Sequence, residues 1–257
     1  MKTKDDLRKD FTKRIRCLVI GTSGSGKTHF AHTFPKTYTI NCEPGGMDTV
    51  AGKVILNKNL VGYDSYIPAD KNEIKNILIK LKEDMVKVRE MAIKGEIETV
   101  ILDNITYLAD TLFIYFSEIC PSLDNRGNMD KFAAFRELEN WLRQFMLKLL
   151  TMPCHVIVTC HEKLENDEAM VRKSDKNNPI VANILGGFRN KIEGMFSYVL
   201  YISKIERGGK YEYWARSNKG NQKNGKSRIT LSSTIQNISY ETLLSEIKKC
   251  SIDKGAK

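Results

Sequence analysis

No stretch of this 257-residue chain approaches the roughly 18 consecutive apolar residues of a membrane-spanning helix. The first segment, MKTKDDLRKDFTKR, is charged throughout and lacks the apolar centre of a signal peptide, which predicts a cytoplasmic protein. Six cysteines (Cys17, Cys42, Cys120, Cys154, Cys160, Cys250) contain no C-x-x-C pair. That excludes the usual zinc sites and a disulfide framework, and predicts that most of them are small buried hydrophobes. The four histidines, His29, His32, His155 and His161, show no metal-ligand spacing with them. The metal to expect is one that arrives with a nucleotide. There is no internal repeat, and the one low-complexity stretch is SNKGNQKNGKS at 217–227.

What remains is an ordinary globular composition, 41% hydrophobic and 28% charged, enough for one α/β domain over 14–250 with a basic arm at 1–13 and a tail at 251–257. The net charge of +10 is uneven: residues 1–16 contribute +4, residues 204–228 contribute +6, and the rest sums to zero. Two basic patches suit a polyanionic partner, and a lysine-rich solvated surface is the alternative.

Strand and helix signals alternate along the chain. RIRCLVI (14–20) reads as a buried parallel strand, followed by a loop and a helix from about Lys27 to Phe34 that Pro35 stops. TYTINCE (37–43) reads as a second strand closed by PGG. Helical spacing from Ile74 to Ala92 predicts a long helix, opened by Asp70 with Glu73 as a capping box and ended by Gly95. ETVILDN (98–104) is a strand ending in an acid, and helices are predicted at about 105–119 and 130–150. CHVIVTCH (154–161) is another strand, 196–204 with 210–217 a hairpin about ERGG, and 240–249 a terminal helix. Strands separated by helices predict a mostly parallel sheet covered on both faces, with a C-terminal β-hairpin extension.

Gly21-Thr22-Ser23-Gly24-Ser25-Gly26-Lys27-Thr28, followed by His29, matches G-x-x-x-x-G-K-[ST] in full and in strand–loop–helix context. Glycines let backbone N–H groups close on a β-phosphate, Lys27 neutralises β- and γ-oxygens, and the Thr28 hydroxyl ligates Mg²⁺. ATP and Mg²⁺ are thus the expected ligands. Asp103, at the end of VILD, supplies the acid that holds the metal through water, unless it only caps the next helix. Hydrolysis also needs a group to deprotonate water. The residue after Asp103 is Asn104, not the glutamate of the large AAA+ and helicase groups, so the base is sought elsewhere. Glu43, ending the second strand, is placed to face a γ-phosphate. His161 ends the last central strand on the same edge, as a γ-phosphate contact or as a structural histidine. Lys226 and Arg228 in GKSR form a Lys-x-Arg pair that suits a finger reaching a neighbouring subunit's γ-phosphate, or else a solvated strand edge.

The order of these pieces, the phosphate loop, NCEPGGMD, VILDN, TCH, GGFRNKIEGMFSYVLYI and KSR, resembles the phage-encoded RecA-like single-strand annealing ATPases, P-loop nucleotide-binding proteins of the Sak type, from about Arg14 to Leu231. The resemblance implies a RecA-like P-loop NTPase fold, with Glu43 the catalytic base, Asp103 the magnesium acid, His161 the γ-phosphate sensor, and Lys226 and Arg228 a pair acting in trans. It implies that 162–185 is a DNA-binding loop. Residues 162–191 hold six basic and five acidic side chains, and Lys163, Arg172, Lys173 and Lys176 are the candidate phosphate contacts. The implied function is ATP-dependent single-stranded DNA binding and annealing in phage recombination or replication. ATP would be hydrolysed between subunits of a ring or filament in the host cytoplasm, away from membranes, with a phage single-stranded DNA-binding protein as a further partner. A helicase loader or AAA+-like remodeller, an ATP-switched DNA-binding protein with little turnover, and a small-molecule kinase are the alternatives.

Overall fold

The computed structural model describes residues 14–123, 127, 130–164, 180–217, 226–229 and 231–252. Its strands are β1 (Arg16–Gly21), β2 (Thr37–Asn41), β3 (Leu60–Ser65), β4 (Thr99–Asp103), β5 (His155–Leu164), β6 (Ile180–Ala182), β7 (Tyr198–Arg207), β8 (Lys210–Arg216), β9 (Lys226–Ser227) and β10 (Thr234–Ile235). They join one sheet in the order β10-β8-β7-β1-β5-β4-β2-β3, with β6 on β5 and β9 on β7. The central five, β7, β1, β5, β4 and β2, are parallel, as is β3 at the edge; β8 and β9 pair antiparallel with β7, and β10 pairs antiparallel with β8 and so runs in the direction of the central strands.

β1, β2 and β4 are buried almost throughout, as expected for parallel strands covered on both faces. One face packs against α4 (Ile74–Lys94), α5 (Ile105–Ile114) and α6 (Lys131–Leu150). The other packs against α1 (Lys27–Ala31) and the terminal helix α8 (Tyr240–Ile252). The short α2 (Asp48–Ala51) and α3 (Val54–Asn57) link β2 to β3, and α7 (Arg189–Met195) precedes β7. The capping box expected at the start of α4 forms only in part: Asp70 caps a 3₁₀ turn at Lys71–Glu73 that leads into α4, accepting from the Asn72 N–H, and Glu73 accepts from the Ala69 N–H at 2.9 Å instead of the Asp70 N–H. Gly95 ends it at φ 73°, where a side chain would be strained. The helix expected at 105–119 keeps α-geometry only to Ile114 and finishes as a π-turn at Tyr115–Ile119.

Cys17, Cys42, Cys154 and Cys160 are buried and Cys120 is exposed. Burial drives the buried thiols upward, Cys160 to about 12, which leaves it inert as a nucleophile.

His155 is 5% exposed at the opposite end of β5 from the phosphate loop; its ring meets Phe34 and Tyr240, and its Nδ1 accepts from the Ile15 N–H at 3.0 Å. Burial, with Arg16 nearby, lowers its pKa from 6.5 to about 4. The folded state thus holds it neutral while the unfolded chain protonates below 6.5. Stability should fall as pH drops from about 6.5 to about 4, by roughly 3 kcal/mol at most from this group. Urea midpoints across that window check it, and His155→Asn should flatten the slope whatever it costs in absolute stability.

Candidate functional site

The carboxyl ends of β1, β2, β4 and β5 meet at one edge of the sheet. The loop after β1 bends tightly because Gly24 and Gly26 take φ of +72° and +97°, a region glycine enters without strain. Lys27, 5% exposed, folds its ammonium back onto the loop, donating to the carbonyls of Gly21 at 3.0 Å and Thr22 at 2.8 Å. Burial lowers its pKa, against the pull of Glu43 and Asp103.

Beside it, the Thr28 hydroxyl donates to Asp103 Oδ2 at 2.7 Å, and the Thr159 hydroxyl donates to Asp103 Oδ1. Asp103 is wholly buried. Burial raises its pKa, and the two hydroxyls only partly offset that. A carboxylate buried on two hydroxyls next to a phosphate loop is a donor set that fits Mg²⁺. Ser25 Oγ, 2% exposed and without a hydrogen-bond partner among the described residues, is a further fit for a phosphate group. Asp103 does not cap α5. Asn104 does, accepting from the Tyr107 N–H at 3.1 Å.

Glu43 is drawn to the same place because the N–H groups of Cys42 and Glu43 both donate to the Asp103 carbonyl, at 2.6 and 3.2 Å. Its Oε2 accepts from the Asn104 amide, and its Oε1 lies 3.4 Å from His161 Nε2. The His161 Nδ1 is in turn 3.5 Å from Lys27 Nζ, and its backbone N–H donates to the Thr106 hydroxyl. Burial pushes the Glu43 pKa up, but His161, Lys27 and the Asn104 amide together pull it below the ordinary glutamate value. Lys27, Thr28, Asp103, Asn104, Glu43 and His161 thus form one connected cluster.

A cavity of about 560 Å³ opens from this cluster. One wall is the loop from Ser23 to His29 and the other is the turn from Glu43 to Lys53. Its third side is Tyr213, from β8, which sequence reasoning did not find. The Tyr213 ring stacks on His29, centroids 4.9 Å apart, with Lys53 Nζ 5.7 Å from its face. Burial, with Lys53 close by, lowers the His29 pKa to about 4, so the imidazole is a neutral stacking surface at physiological pH. A family model described as an AAA domain matches residues 13–229.

The chain belongs to the AAA domain family. It is an AAA-type P-loop ATPase domain built on a mostly parallel α/β sheet, and that family implies nucleotide binding, usually with Mg²⁺. A KaiC-like protein of the hyperthermophilic archaeon Pyrococcus horikoshii OT3 is similar in structure, at 13% identity and a TM-score of 0.42 over 78% of this chain and 77% of that one. No curated protein matches the sequence. Among the described residues no helix is long and apolar enough to cross a membrane.

The remaining expected site residues lie apart from this cluster. Lys226 sits opposite Val199 and Ser227 opposite Tyr198 on β7, level with Cys17 and not with the loop after Gly21. Arg228 is exposed and already past the two-residue β9, its N–H donating to the Ser197 carbonyl. The pair is therefore at the end of the sheet away from its own phosphate loop. Lys163 is exposed on β5, two residues beyond His161. Arg172, Lys173, Lys176 and the arm at 1–13 lie outside the described residues.

Proposed function

We propose that this AAA-domain protein is an oligomeric, Mg²⁺-dependent ATPase that binds and anneals single-stranded DNA in phage recombination or replication. The observation that carries the reading is the placing of His161. It stands between Glu43 and Lys27, on a strand that runs straight on through Lys163 into the segment expected to touch DNA. A residue that touches the γ-phosphate there can pass its presence to that segment.

In this reading the triphosphate lies along Gly21–Thr28 and the nucleoside enters the cavity walled by Tyr213. Thr28 and Asp103 would hold Mg²⁺, which supplies charge neutralisation at the β- and γ-phosphoryl oxygens. Lys27 leaves its two carbonyls for the phosphate oxygens. Glu43 accepts the proton of the attacking water as the bond to the γ-phosphorus forms and ADP departs, while Asn104 and His161 keep the carboxylate ionised and aimed. Lys226 and Arg228, remote from their own loop, serve the site of the next subunit in a ring or filament.

The test is ATP turnover with and without single-stranded DNA, together with a mobility assay across a salt series. Stimulated turnover, and a log–log affinity slope of about −0.7 for every phosphate contact, support the reading. Turnover indifferent to DNA but stimulated by a protein substrate would favour the helicase-loader or remodelling alternative.

A further inference from the structure

The long helix α4 carries an apolar ladder on its solvent side. Ile79, Val86 and Ile93 recur at intervals of seven and are 46%, 59% and 65% exposed. The core-facing residues of the same helix, among them Leu78, Leu81, Met85 and Val88, are buried elsewhere on its circumference, so this ladder is a second apolar line. A helix that only covers a sheet needs one.

The charges beside the ladder are sorted. At about 100° per residue, Lys82 and Arg89 fall on one flank of Val86, about 40° and 60° round, and Glu83 and Glu90 fall on the other flank by about 60° and 40°. All four are exposed. Among the described residues none of them forms an ion pair within the chain, whereas Lys80 and Lys87 on the same helix both pair with Asp84. One basic row and one acidic row bracketing an apolar line is the pattern by which helices choose a partner and its direction.

The direction follows from the rows. If a second α4 ran antiparallel, the two-fold axis would bring Lys82 against Arg89 of the other copy and Glu83 against Glu90, like on like. If it ran parallel and in register, the basic row of each would meet the acidic row of the other, Lys82 with Glu83 and Arg89 with Glu90, each pair within about one residue's rise in height. Ile79, Val86 and Ile93 would then each face their own counterpart.

We infer that the exposed face of α4 docks a second copy of this chain, α4 parallel to α4 about a two-fold axis along the helices. The seam has one apolar contact for every two turns, spaced roughly 10 Å apart, so the pair is a transient, concentration-dependent dimer. It uses a helix on the sheet face opposite α1, whose N-terminus carries Lys27 and Thr28, and needs no nucleotide.

Cysteine crosslinking in the nucleotide-free full chain tests it, with the wild-type chain and its own cysteines as background. Ile79→Cys, Val86→Cys and Ile93→Cys should each give a covalent dimer under mild oxidation, since in the parallel arrangement every rung faces itself. Crosslinking at Val86 alone would mean an antiparallel pair, and none above background would mean no pair; either overturns the inference. By sedimentation velocity, Lys82→Glu/Arg89→Glu should be monomeric and Glu83→Lys/Glu90→Lys likewise, and an equimolar mixture of the two should dimerise. Circular dichroism confirms that both variants stay folded. Self-association unaffected by either double variant counts against the seam and leaves the ATP-site reading untouched.

Discussion

Glu43→Gln should lower ATP turnover by a factor on the order of 10²–10⁴, the usual contribution of a general base, while nucleotide affinity changes little. Gln keeps the length of the side chain and an oxygen able to accept from the Asn104 amide, so the cluster should stay assembled. What it loses is the ability to take a proton from water. The pH profile sharpens the assignment. Because the Glu43 pKa is held below its ordinary value of 4.5, the carboxylate is ionised well into the acid range, and the acid limb of kcat should lie below that value. Asn104→Ala removes one of the groups that hold it down. The sign is then fixed: the Glu43 pKa rises and the acid limb moves toward neutral pH. Turnover in Glu43→Gln equal to that of the wild type would remove Glu43 as the base.

The nucleotide cluster was legible because most of its members are marked by residue type and by position at or just past a strand end; His161, expected to end its strand, lies three residues before the end of β5 at Leu164. Gly21–Thr28, Asp103, Glu43 and His161 all follow short apolar runs, and in a parallel sheet such ends share one edge. Their meeting distances, 2.7 Å for Thr28 to Asp103 and 3.4 Å for Glu43 to His161, follow from β5 lying between β1 and β4. Asn104 was read only as a neighbour of Asp103; its double use, backbone-capping oxygen and Glu43-holding amide, depends on a side-chain orientation that no spacing encodes.

Other elements were not legible. β3, LVGYDS, pairs only at the sheet edge, alternates between half-buried and exposed, and carries Gly62, so neither hydrophobicity nor period 2 stands out. α2 and α3 are single turns too short for a periodic signal. Tyr213 reads locally as one aromatic among several in KYEYWAR. It reaches the phosphate loop because β8 pairs with β7, and β7 with β1.

That pairing leads to the other large effect, at Gly26. The residue has φ +97°, and a Cβ there would stand 2.3 Å from Cδ1 and 2.6 Å from Cε1 of Tyr213. Gly26→Ala therefore suffers twice. Backbone strain of about 1–3 kcal/mol opposes the loop conformation that binds phosphate, a cost equivalent to roughly 5–150-fold in affinity. The ring must also swing away from His29, taking one wall of the cavity with it. We expect nucleotide binding to fall by about two orders of magnitude or more, readable by titration with a fluorescent ATP analogue. Tyr213→Ala alone should weaken binding by a smaller factor, through loss of the stacking wall. In the double variant the clash is gone and only strain and the missing wall remain, so its loss should be less than the product of the single losses. Single effects that simply multiply would show that the ring and the loop act independently, and Tyr213 would then be no part of the nucleotide site.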